Sequence, residues 1–173
     1  NDMETSTLKL YAWKYTDAKT YLVASLFVIG NIMLPHLFHT VNMGGTTWLP
    51  IYFFTLIGAY KYGWRVGLLT AILSPLLNSF IFGMPPIAVL PAILLKSVIL
   101  AGVAGYTALR FNKISIPLML TVVLIYQIIG TIGEWVLTGH LHTALQDFRI
   151  GIPGMLLQVF GGWLIIKYMI RKN

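Results

Sequence analysis

Six apolar runs separated by short polar or Gly/Pro-rich breaks govern what this chain can fold into. They cover residues 20–37, 48–60, 66–82, 87–109, 114–137 and 151–170. A helix needs about 20 apolar residues to cross ~30 Å of hydrocarbon, and five of the six runs approach that length. The second is short, with Pro50 placed for a helix first turn; it spans only if Thr46 and Thr47 join it or the bilayer thins locally. Strands of a membrane barrel would alternate in polarity over about ten residues, whereas these runs are continuous and rich in Leu, Ile, Ala and Gly. The expected fold is therefore an all-α integral membrane protein with six transmembrane helices. Residues 1–19 form a polar N-terminal segment and 20–173 a single bundle. Of the 173 residues 57% are hydrophobic and 10% charged, against about a quarter charged in a soluble domain.

Twelve Lys and Arg stand against five Asp and Glu, a balance that in a soluble chain would suggest nucleic acid. Here the charges lie between apolar runs, so the expected surroundings are a lipid bilayer and no nucleic acid. Lys9, Lys14, Lys19, Lys61, Arg65, Arg110, Lys113, Lys167, Arg171 and Lys172 all fall before the first run, after the second or fourth, or at the end of the sixth. The alternate breaks hold only Arg149. Because cytoplasmic loops carry the excess of Lys and Arg, both termini are expected in the cytoplasm and the protein in the cytoplasmic membrane. His36, His39, His140 and His142 then reach the outer face. Residues 1–19 lack the apolar core of a secretory signal, and the absence of cysteine excludes disulfides and thiolate sites. No H-E-x-x-H, G-x-S-x-G or P-loop is present, so neither enzymatic activity nor a cofactor is expected, and ATP cannot be handled by this chain unaided.

Polar residues inside the runs are the candidates for function, since an ionisable group at bilayer depth is costly and is turned inward or paired. Lys96 lies nine residues into the fourth run, about 14 Å from its outer end at ~1.5 Å per residue. Glu134 is near the outer end of the fifth run. Either the two form a structural salt bridge, or they line an outward-open cavity and meet a ligand. Asn31, Asn78, Gln127 and Gln158 gather at similar depth; each could instead join helices, Asn78 by bonding a carbonyl freed by Pro75. Residues 36–48, with His36, His39, Asn42, a Gly44-Gly45 pair and an interfacial Trp48, read as a lid. The third outer break adds His140, His142, Asp147 and Arg149 to the same mouth, where imidazoles could ligate a metal centre. Small residues at four-residue spacing, Gly63, Gly67 and Ala71, then Ala101 and Gly105, are suited to close helix packing.

The stretch from Trp48 to Pro86, WLPIYFFTLIGAYKYGWRVGLLTAILSPLLNSFIFGMPP, followed by LPAILLKSVILAGVAGYTALR, resembles the substrate-binding S components of energy-coupling factor vitamin transporters. The resemblance implies a six-helix bundle that captures a vitamin-like molecule from outside. It also implies docking on a membrane coupling subunit driven by two cytoplasmic ATPases. Substrate-binding positions on this reading are His36, His39, Asn42, Trp48, Asn78, Lys96, Glu134 and Gln158. Docking in the family uses an A-x-x-x-A motif on helix 1; here Ala24 is followed by Val28, a departure that points to a solitary member such as the corrinoid-binding type. No N-terminal Met-His pair of the nickel and cobalt branch is present. The histidines favour a corrinoid such as cobalamin, Lys96 a carboxylate vitamin such as lipoate, pantothenate or biotin, and Glu134 a cationic vitamin, in that order. Two other readings compete: a small membrane channel or scaffold with a structural Lys–Glu pair, and a membrane enzyme using a metal held by the outer histidines.

Overall fold

The computed structural model describes residues 11–38 and 49–171, with side chains to Tyr168. Among the described residues all regular structure is helical: α1 (Ala18–Phe38), a 3-10 turn (Pro50–Tyr52), α2 (Phe53–Tyr62), α3 (Trp64–Phe82), α4 (Leu90–Phe111), α5 (Ile116–Thr138), α6 (Leu141–Ile150) and α7 (Ile152–Arg171). Helices α1, α3, α4 and α5 are each long and apolar enough to cross a membrane, and the α6–α7 pair, bent by 48°, makes a fifth if it counts as one span. The chain is an all-helical, multi-pass membrane protein.

The second apolar run departs from the expected span. Its helix, α2, has 10 residues, which is about 15 Å at ~1.5 Å per residue and half the hydrocarbon thickness. The run enters at the middle of the bundle. Leu49 turns the backbone with φ 50, a left-handed conformation that is rare for a branched side chain, and its side chain packs beside Gly151. Phe54 N–H then donates to Asn31 Oδ1 at 3.1 Å, capping α2 against the middle of α1. At the far end of α2, Tyr11 N–H donates to the Lys61 carbonyl at 2.9 Å and Trp13 N–H to that of Tyr62 at 3.3 Å. Leu56, Ile57, Ala59 and Tyr60 have no exposed surface. With only Phe54 and Tyr62 partly exposed, α2 belongs to the core.

Small residues set the close approaches around α2. A Cβ on Gly67 would meet Ala59 Cβ at 2.3 Å, and one on Gly105 would meet Trp64 Cβ at 2.6 Å, so α2–α3 and α3–α4 contacts require glycine. Gly63, spaced four residues before Gly67, is the hinge between α2 and α3 at φ 107. Ala24 and Val28, where the S-component resemblance expects its docking motif, are buried in the bundle with Thr20 and Asn31. The exposed face of α1 is Tyr21, Leu22, Leu26, Ile29, Met33 and Leu37.

The basic breaks lie at one end of the bundle, tied together by Tyr11 and Trp13 on α2 and by the Tyr60 hydroxyl, which donates to the Lys113 carbonyl. Aromatic rings cluster there as well. Arg65 stacks 4.5 Å from the Trp64 ring and Lys167 4.8 Å from that of Trp163, the combination of amphipathic ring and cation found at membrane interfaces.

Candidate functional site

Two buried polar groups occupy the bundle, and they have different characters. The first joins α1, α2 and α3. Asn31 Nδ2 donates to Thr55 Oγ1 at 3.1 Å and to Ser74 Oγ at 3.0 Å, while Asn78 Nδ2 donates to the Asn31 carbonyl at 3.1 Å. All four residues are buried to 2% exposure or less. Every donor of Asn31 and its side-chain oxygen is engaged within the protein, so this network locks helices. Asn78, placed by the sequence among the ligand-binding positions, serves this lock. It does bond a carbonyl released by proline, but the proline is Pro35 of α1 rather than Pro75 of its own helix.

The second group lies between α4, α5, α6 and α7. One face of α5 is buried along its length, through Met119, Val122, Val123, Tyr126, Gln127, Gly130, Thr131 and Glu134, positions three and four apart that share a helical stripe. Lys96 crosses from α4 onto this stripe. A Cβ on Gly130 would stand 2.7 Å from Lys96 Cγ, so glycine leaves the channel for the lysine stem. Lys96 Nζ then lies 2.7 Å from Glu134 Oε2, in an ion pair whose side chains are 10% and 7% exposed. Because α4 starts at Leu90, Lys96 is about 9 Å from its end at ~1.5 Å per residue, shallower than a start at 87 implies.

The third outer break, which the sequence suggests is a loop, forms α6 and brings Asp147 to this pair. Its half-buried carboxyl is near enough to the Glu134 carboxyl for their charges to interact. Deeper along α5, the Tyr126 hydroxyl donates to Gln158 Oε1 of α7 and accepts from Gln127 Nε2 at 2.9 Å. The Tyr52 ring stands 6.1 Å from that of Tyr126. Glu134 Oε2 is taken by Lys96 Nζ, whereas two other buried polar atoms of this group, Thr131 Oγ1 and Gln158 Nε2, have no hydrogen-bond partner among the described residues. In hydrocarbon no bulk water can satisfy them.

Of the sequence-derived positions, Lys96, Glu134 and Gln158 therefore belong to one polar group and Asn78 to another. His36 is exposed on α1 with its ring 4.3 Å from that of Phe82. His140 and His142 are exposed at the start of α6, and among the described residues no three His, Asp or Glu side chains form a set that could hold a metal ion. His39, Asn42, Trp48 and most of the expected lid lie outside the described residues. Tyr52, Tyr126 and Thr131 are not among the sequence-derived positions, and Asp147 enters there only as part of the outer mouth. The 126/130/134 spacing on α5 carries a signal for Tyr126, whereas Tyr52 and Asp147 reach the group only through the half-depth turn and the α6 helix. Comparison with protein-family models, with curated proteins and with solved structures finds no match.

Proposed function

We propose that this chain captures a vitamin-class small molecule for uptake across the cytoplasmic membrane, in the manner of a transporter S component. The observation that carries the reading is the group formed by Lys96, Glu134, Asp147, Tyr126 and Gln158 inside a lipid-spanning bundle, with buried polar atoms left without partners. Polar groups at that depth are costly and tend to mark ligand sites. On this reading the basic, aromatic end faces the cytoplasm, the acid pair lies toward the outside, and a coupling subunit with two ATPases supplies the energy that this chain lacks. A carboxylate vitamin would have to displace Glu134 to reach Lys96, and a corrinoid would draw on His140 or His142. Purification in mild detergent, a visible spectrum and mass spectrometry of co-purifying small molecules, followed by titration with cobalamin, lipoate, pantothenate, biotin and thiamine, test it. Saturable binding by any of these supports capture, and failure of the whole panel overturns it.

A second reading, a membrane scaffold or channel, is favoured by one observation: Lys96 and Glu134 satisfy each other at 2.7 Å. It expects Lys96→Met to lower stability with no binding to lose. Loss of a measured vitamin affinity in a variant that remains folded excludes it.

A further inference from the structure

A groove of about 400 Å³ lies between the start of α3 and the second half of α4, lined by Trp64, Gly102, Tyr106 and Leu109. Positions 102, 106 and 109 share one face of α4 by their spacing. Trp64 closes one side because Gly105 lets it approach: a Cβ on Gly105 would meet Trp64 Cβ at 2.6 Å and Cα at 2.9 Å. Gly102 leaves the channel open, since nothing stands within 4 Å of the place its Cβ would take. Tyr106 is 68% exposed and Leu109 50%, so the groove opens outward to lipid and not into the bundle.

Two cations adjoin this lining. The Arg65 guanidinium stacks 4.5 Å from the Trp64 ring and 6.0 Å from that of Tyr15. Arg110, exposed and next to Leu109 in the chain, lies 5.9 Å from the Phe111 ring. Neither guanidinium has a carboxylate partner among the described residues. Asp17, the one described acid outside the Lys96 group, accepts from the Lys14 N–H at 3.0 Å. The groove also has a direction: Gly102 is eight residues from Arg110, about 12 Å at ~1.5 Å per residue, so the cations stand at the interface end and the apolar lining runs inward. A soluble anion would leave that apolar length uncovered, and an apolar helix of another protein would leave both guanidinium groups uncompensated. An amphiphile with an anionic head and a hydrocarbon tail meets both.

We propose that the α3–α4 groove holds one anionic phospholipid, with an acyl chain along Trp64, Tyr106 and Gly102 and the head group at Arg65 and Arg110. Basic pockets between membrane helices on the cytoplasmic side suit such head groups, and that leaflet carries the anionic lipid; the orientation proposed above turns this end toward it. No residue of the Lys96–Glu134 group takes part, so the lipid site does not depend on what that group binds.

The test uses the full chain in mild detergent, titrated with dioleoyl phosphatidylglycerol or with dioleoyl phosphatidylcholine, which has the same chains and no net charge. Native mass spectrometry reads the lipid retained per protein. Expected are one phosphatidylglycerol held at least about tenfold more tightly than phosphatidylcholine and an affinity about fivefold weaker in Arg110→Gln, weaker still when Arg65→Gln is added. Gly102→Leu, which fills the groove, should weaken both lipids without lowering the melting midpoint. Arg110 and Gly102 are exposed, so these two single variants decide the matter even where the double arginine variant does not fold. Equal retention of the two lipids, unaffected binding in Arg110→Gln or Gly102→Leu, or glycerol 3-phosphate bound as tightly as phosphatidylglycerol overturns the proposal. So does recovery of lipid-free dimers that Gly102→Leu disperses, which would make a second copy of the chain the occupant.

Discussion

Asn78 of α3 donates its side-chain amide, at 3.1 Å, to the Asn31 carbonyl of α1, the acceptor that Pro35 leaves free four residues further along that helix. In water such a carbonyl would be solvated. In a membrane bundle it must find a protein donor, and α3 supplies one at the level where Asn31 also caps α2. A proline defect in one helix thereby becomes the point at which three helices are fastened.

Removal of that donor tests the fastening. Asn78→Ala is expected to destabilise the protein by ~1–3 kcal/mol, the cost of a buried carbonyl left unmet. Pro35→Ala restores the intrahelical N–H to the same carbonyl, so the cost of Asn78→Ala should shrink in that background. Thermal unfolding in detergent of the four proteins of this cycle reads the coupling; simple additivity would show that Asn78 and Pro35 are not linked through the carbonyl.

The Lys96–Glu134 pair makes a sharper contrast. Lys96→Met leaves Glu134 and Asp147 with no ammonium, and Glu134→Gln leaves a buried ammonium beside a neutral amide and Asp147. Breaking one side of a buried pair costs about 3–5 kcal/mol, whereas replacing both partners is often close to neutral. The double variant Lys96→Met with Glu134→Gln should therefore melt above the Lys96→Met variant. A double variant less stable than either single one would show that the pair contributes through packing instead.

Glycine contacts predict a ranking. A methyl at Gly67 meets Ala59 Cβ at 2.3 Å and Ala59 Cα at 2.7 Å, the latter being backbone, so α2 and α3 must separate. A methyl at Gly130 meets the flexible Lys96 stem, Cγ at 2.7 Å. Gly67→Ala should cost ~1–3 kcal/mol and Gly130→Ala less, the latter acting chiefly by moving Nζ from Glu134. Equal losses in unfolding midpoint would contradict this order.

Tyr126→Phe removes a hydroxyl that serves both Gln127 and Gln158. Two buried amide groups then lose a partner, for an expected ~1–3 kcal/mol, and any ligand contact made through Gln158 should weaken with it. Tyr52→Phe, whose ring stands 6.1 Å from that of Tyr126, is expected to alter ligand affinity more than the unfolding midpoint. The two variants, compared by melting and by titration, separate the helix-joining part of the polar group from its ligand-facing part.

The sequence by itself determined the helical, membrane-spanning class, because continuous apolar runs of that length leave backbone hydrogen bonds only one intramolecular solution in lipid. It also determined that the basic residues fall in alternate breaks, all at one end of the runs, and that Lys96 and Glu134 needed an inward partner. Run length alone did not reveal that the second run yields only the half-depth helix 53–62: Leu49 and Pro50 turn into the bundle, and Asn31, distant in sequence, caps the end. Nor did local polarity separate Asn78 from Gln158, both amides on apolar helices. Which of them is satisfied depends on which helix lies opposite, and only tertiary packing placed the Pro35-freed carbonyl before Asn78 and Asp147 of α6 beside Glu134.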